Sequence, residues 1–129
     1  MEPYMSSASI VQITIAFVDP TLDAKERDIE AQQLMEELAA LNEVESVSRV
    51  IDPNSPEGSK GLGGLLIGLL TAEIDGNCAG EMLGFLQKRL ERKPIELTVE
   101  ANGKKLSVKA HSTKDLTAAI QSAKDFISC

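Results

Sequence analysis

The pair Asn102-Gly103 constrains this 129-residue chain more than any other feature. A two-residue hairpin of type I′ needs positive φ at both central positions, and Asn-Gly supplies that at the lowest steric cost. The flanking segments, Ile95 to Ala101 and Lys104 to Ala110, then pair in a fixed register. Val99 falls opposite Leu106, Leu97 opposite Val108 and Ile95 opposite Ala110, which makes one wholly apolar face. The other face sets Glu100 against Lys105, Thr98 against Ser107 and Glu96 against Lys109. Cross-strand pairs of these kinds each contribute about 0.2–1 kcal/mol. An apolar face backed by a polar one predicts a sheet with helices on one side only, at least over the hairpin.

The remaining chain is read around this hairpin. Residues 1–9 read as a flexible tail, leaving 10–129 as one domain. Ile10 to Val18 (IVQITIAFV) is rich in β-branched residues, ends at Asp19-Pro20 and is apolar on both faces in places, which suits a central strand of a covered sheet. Asp23 and Glu26 form a capping-box pattern. The helix that follows places Ala31, Leu34, Met35, Leu38 and Leu41 on one stripe and Lys25, Glu30, Glu36 and Glu37 on the other side. Val44 to Ile51 reads as a weaker strand closed by Asp52-Pro53, so these three elements predict a parallel βαβ unit. Residues 52–61 are loop by composition. GLGGLLIGLL predicts a short buried helix from Gly61 to about Glu73, and Asn77 caps a further helix to about Arg92 with Met82, Leu83, Phe85, Leu86 and Leu90 inward. After the hairpin, Ser112 and Asp115 repeat the capping pattern ahead of a helix lined by Leu116, Ala119, Ile120, Ala123 and Ile127. The expected architecture is an α+β two-layer sandwich, β-α-β-α-α-β-β-α, with a four-stranded mixed sheet related to ferredoxin-like folds.

Charge and composition narrow the function classes. The net charge is −7, but residues 1–60 carry 12 acidic and 4 basic side chains, whereas residues 61–129 carry 8 and 9. A chain this acidic is a poor general ligand for nucleic acid or anionic lipid. Without Trp, and with only Tyr4, Phe17, Phe85 and Phe126, it lacks the aromatics of a single-strand stacking platform. The opening MEPYMSSAS has no signal-peptide pattern, and the apolar run Leu62 to Leu70 is too short to span a bilayer, so a cytoplasmic location is expected.

Each candidate for chemistry has a plainer structural reading. Gly58, Gly61, Gly63 and Gly64 with Lys60 lack P-loop spacing, because the lysine precedes the glycines. Asp19, Asp23, Asp28 and Glu30 lack the calcium-loop pattern. One His and two separated Cys are too few for a zinc site. Cys78, His111 and Asp115 sketch a cysteine nucleophile, yet nothing in the sequence places them together. The expectation is therefore a non-enzyme without metal or cofactor. Gly76, Gly80 and Gly84 recur every four residues, as do Gly64 and Gly68, a step that lets another backbone approach. The cations Lys88, Arg89, Arg92 and Lys93 at a helix end, with Lys105 and Lys109 (and Lys104) on the hairpin, form a candidate docking patch for an acidic protein surface.

The stretch FLQKRLERKPIELTVEANGKKLSVKAHSTKDL (Phe85 to Leu116), preceded by the glycine-rich apolar segment, resembles the effector-associated constant components. These are accessory proteins of bacterial NTP-dependent conflict systems. The resemblance extends over about residues 10–127, with Phe85 where the family often has Trp. It implies a non-catalytic regulator that couples a partner effector, a peptidase or an NTPase, and no catalytic residue carries over. The alternative is a self-assembling or membrane-associating module acting through the glycine-stepped segment 61–92.

Overall fold

A computed structural model describes residues 10–42, 44–51, 65–75, 79–101 and 103–127. Five strands and three helices follow in the order β1 (Ile10–Phe17), α1 (Ala24–Ala39), β2 (Val44–Ile51), β3 (Leu65–Asp75), α2 (Ala79–Arg89), β4 (Ile95–Ala101), β5 (Lys104–Ala110) and α3 (Thr113–Ile127). The fold is α+β, with one open sheet ordered β2-β3-β1-β4-β5. Every adjacent pair in it is antiparallel.

Three expectations are corrected by the sheet. The sheet has five strands, all antiparallel, in place of four in a mixed sheet. From Leu65 onward the segment read as a buried helix is β3, so Gly68 stands in a strand. Four glycines between Gly61 and Gly68 weigh against a helix at about 1 kcal/mol each. From Leu70 to Ile74 the sequence alternates apolar and polar, and the buried residues are Gly68, Leu70, Ala72 and Ile74. The βαβ expectation changes accordingly. β1 and β2 do run in the same direction, but β3 is inserted between them. A strand with an apolar inner face takes the centre, whereas β2 (VESVSRVI), rich in polar residues, is left at the edge.

The other elements follow their sequence signals. Asp23 accepts from the Glu26 N–H at 2.8 Å, and the Glu26 carboxylate accepts from the Asp23 N–H at 3.0 Å, which closes the capping box. At α3 the Ser112 hydroxyl accepts from the Asp115 N–H at 3.1 Å. The hairpin register matches every predicted pair, and Gly103 has φ 78°. The helical stripes pack on the sheet's inner face. Leu34 and Leu38 of α1, Met82, Leu83 and Leu86 of α2, and Leu116, Ile120 and Ala123 of α3 meet Ile13, Ile15, Leu70, Ile74, Ile95 and Leu97 in one core. Burial along β1 alternates, so its outer face is not covered as a strand between two helical layers would be.

One polar node ties α1 to β2 and β3. Arg49 of β2 turns its guanidinium inward, where its side chain is 8% exposed, and pairs with Asp28 of α1. The same guanidinium donates to the Leu69 carbonyl at 2.9 Å and the Leu66 carbonyl at 3.3 Å. Asp28 also accepts from the Gly68 N–H at 3.1 Å. Gly68 has φ 74°, and a Cβ there would stand 3.2 Å from the Phe17 carbonyl oxygen and 3.4 Å from Arg27 Cβ. Both the left-handed backbone and the close approach of α1 require glycine.

Arg49→Ala leaves Asp28 and two strand carbonyls without their donor, and should cost about 3 kcal/mol in chemical denaturation. Hydrogen bonds from Arg49, reinforced by the Gly68 N–H against the opposing effect of burial, hold the Asp28 carboxyl below the usual aspartate range. A carboxyl depressed in the folded state stabilises fully above its unfolded value, about 3.9, and that contribution is lost as pH falls through the folded value. Asp28→Asn should therefore flatten the acid limb of the stability profile below about pH 4 relative to wild type.

Candidate functional site

With the three described helices on one side, the opposite sheet face is a surface on which side chains from every strand meet. Register fixes its rows. Ser48, Thr71, Thr14, Thr98 and Ser107 stand side by side across all five strands, one hydroxyl from each. Thr14 and Thr71 share a hydrogen bond of 3.1 Å, and Thr98 and Ser107 one of 3.3 Å. The next row is Ser46, Glu73, Gln12, Glu100 and Lys105. In it the Ser46 hydroxyl donates to Glu73 at 3.2 Å, and Lys105 lies 3.8 Å from Glu100. Between this row and the hairpin turn lies a shallow depression of about 390 Å³, lined by Ile10, Gln12, Glu73, Glu100, Gly103 and Lys105 among others. Glu96 and Lys109 pair on the far side of the hydroxyl row. These two rows are polar and of mixed charge, while Ile10 and Ile67 add exposed apolar side chains to the face.

The predicted docking cations are not one patch. Arg89 donates to Glu37 of α1 at 2.7 Å, and Lys93 to Glu30 of α1 at 3.3 Å, so both fasten the end of α2 and the start of β4 to α1. Lys88 and Arg92 are exposed on the helical side of the molecule. Lys105 and Lys109 point the other way, because the residues that alternate with their partners on β4 (Ile95, Leu97 and Val99) are the ones buried beneath the helices. The hairpin and the helix end therefore offer cations on opposite layers.

The acidic residues Asp19, Asp23, Asp28 and Glu30, which lack a calcium-loop pattern, have separate roles. Asp23 caps α1, Asp28 holds Arg49 and Gly68, and Glu30 holds Lys93. Asp19 accepts from the Thr21 hydroxyl at 2.7 Å and the Thr21 N–H at 2.9 Å, bonds that pull its carboxyl below the usual range. Among the described residues no three His, Cys, Asp or Glu side chains gather as metal ligands would. His111 and Asp115 are exposed. Gly58, Lys60, Gly61, Gly63, Gly64, Gly76, Asn77, Cys78 and Cys129, with the tail 1–9, lie outside the described residues. Gly80 and Gly84 are on α2, and nothing in the fold stands within 4 Å of a Cβ built on either. No described helix is long and apolar enough to cross a membrane.

The hydroxyl row runs through Thr71, which the helical expectation for residues 61–73 places off any strand. The alternation of Leu70, Thr71, Ala72, Glu73 and Ile74 was the signal that could have found it. No family model, curated protein or solved structure matches this chain.

Arg92 has φ 69°, the only positive value at a non-glycine position among the described residues. It lies just beyond α2, where glycine is the common solution. Arg92→Gly should raise stability by about 0.5–1 kcal/mol, read as a higher thermal midpoint.

Proposed function

We propose that this chain is a non-catalytic accessory protein that binds and couples a partner effector, a peptidase or an NTPase, in a bacterial conflict system. The observation that carries the binding role is the one-sided sheet. Five strands present a face that no described helix covers, with charged side chains from three of them, and we read that area as the one offered to another protein surface. The resemblance of Phe85 to Leu116 to the effector-associated constant components narrows the partner to an effector of that kind. We read the elements β1 to β4, with α1 and α2, as a ferredoxin-like unit extended by β5 and α3. In this reading the protein acts in the cytoplasm.

Of the six cations assigned to the partner contact, Arg89 and Lys93 have intramolecular roles, so Lys88, Arg92, Lys105 and Lys109 are the better placed. Lys88 and Arg92 form no ion pair among the described residues. The second reading, self-assembly or membrane association through α2, draws on the open surface at Gly80 and Gly84.

Affinity purification from the native host should recover a peptidase or an NTPase. Binding of that purified partner should weaken about tenfold or more in the double variant Lys88→Glu/Arg92→Glu, with the fold intact by circular dichroism. Unchanged affinity would remove the helix end from the contact. Recovery of the bait alone, as a large species, would favour self-assembly.

A further inference from the structure

The sheet has two outer edges, and they differ. Along β2 the register shifts between Val44 and Ser46 and again between Arg49 and Ile51. Such irregularities break the row of unpaired backbone groups that another strand would need. β5 has no such break. Its seven residues pair with β4 in one continuous register.

The hairpin geometry says which backbone groups of β5 face outward. In a two-residue hairpin the pair flanking the turn exchanges both hydrogen bonds, and every second pair after it does the same. Lys104, Leu106, Val108 and Ala110 therefore direct their N–H and C=O groups to β4. Lys105, Ser107 and Lys109 direct theirs away from the sheet. Their side chains stand on the uncovered face, and the half-buried Leu106 and Val108 lie on the helical side. A strand laid along β5 would thus meet three donor–acceptor residues, a lysine–hydroxyl–lysine row on one face and an apolar pair on the other.

Charge decides what that strand can be. A second copy pairing antiparallel about Ser107 would set Lys105 opposite Lys109 of its mate, twice over, and like charges directly opposite are destabilising. On its inner side β5 is matched by Glu96, Thr98 and Glu100, which face Lys109, Ser107 and Lys105. We propose that the free edge of β5 takes up an extended acidic segment of a partner protein as a sixth strand. Its carboxylates alternate toward Lys105 and Lys109, and apolar side chains between them lie against Leu106 and Val108. This rests on the reading of the chain as a protein-binding module and specifies where and what it binds.

The test uses the whole chain, isotope-labelled, with a seven-residue capped peptide alternating valine and glutamate, and the same peptide with lysine for glutamate. The expected result is that the acidic peptide shifts the amide signals of Lys105, Ser107 and Lys109 and slows their hydrogen exchange. Affinity should fall about tenfold in Lys105→Gln/Lys109→Gln, whose spectrum otherwise keeps the wild-type fold, and should fall with added salt. The proposal is overturned by equal binding of the lysine peptide, by shifts confined to Gln12, Thr14 and Thr71, or by no shift at about 1 mM peptide. Protection of the same amides that grows with protein concentration alone would assign the edge to a second copy and also overturn it. A purified native partner that binds Lys105→Gln/Lys109→Gln undiminished removes the β5 edge but leaves the protein-binding reading standing. Failure to recover any partner removes that reading itself.

Discussion

Arg49 sits where a charge is least expected, on the inner face of an edge strand beneath a helix, and the arrangement of β1, β2 and β3 depends on it. Its guanidinium is satisfied by Asp28 and Gln32 of α1 and by the Leu66 and Leu69 carbonyls of β3. Removing such a group from water is tolerated only when its donors find acceptors. Those donors reach the carbonyls on either side of Gly68, whose left-handed φ distorts the strand locally. Asp28 completes the node by accepting the Gly68 N–H. One ion pair thus holds β2 to β3 and β3 to α1 at the point where β3 enters between two parallel strands.

The same logic extends across the helical layer. α1 carries most of its charge as carboxylates, and three of them meet cations from other elements: Asp28 with Arg49, Glu37 with Arg89, and Glu30 with Lys93. The acidic first half of the sequence and the more basic second half are therefore partly reconciled inside the molecule. Of the six cations singled out in the sequence, Lys88 and Arg92 on one layer and Lys105 and Lys109 on the other make no ion pair with α1 among the described residues. Lys105 and Lys109 of β5 stand on the face that none of the described helices covers, beside a row of five hydroxyls that no single segment of sequence contains.

Local signals were legible where one short stretch supplied both the backbone preference and the pairing chemistry. Asn102-Gly103 with its Glu/Lys and Thr/Ser alternation is the clearest case, and the capping box at Asp23 and Glu26 is another. The helical stripes also read correctly, because a 3.6-residue period selects the same residues whatever they pack against. β3 was misread because an apolar run with glycines resembles a buried helix as much as a central strand, and period alone does not separate the two. The candidate contact surface was half legible: the cations were visible, but their division between two faces followed from strand direction and sheet order.

The sequence by itself determined the hairpin, its register, the starts of α1 and α3 and the apolar stripes, since each depends on residues within one short stretch. The tertiary structure alone decided that β3 separates β1 from β2, that Arg49 turns inward to Asp28, and that Arg89 and Lys93 serve α1. It alone also decided that Ser48, Thr71, Thr14, Thr98 and Ser107 share one row. Those outcomes join residues from 21 positions apart, Asp28 and Arg49, to 84 positions apart, Thr14 and Thr98. Most of these separations are too long for any local pattern to encode, and the competition among alternative partners is settled only when the whole core packs at once.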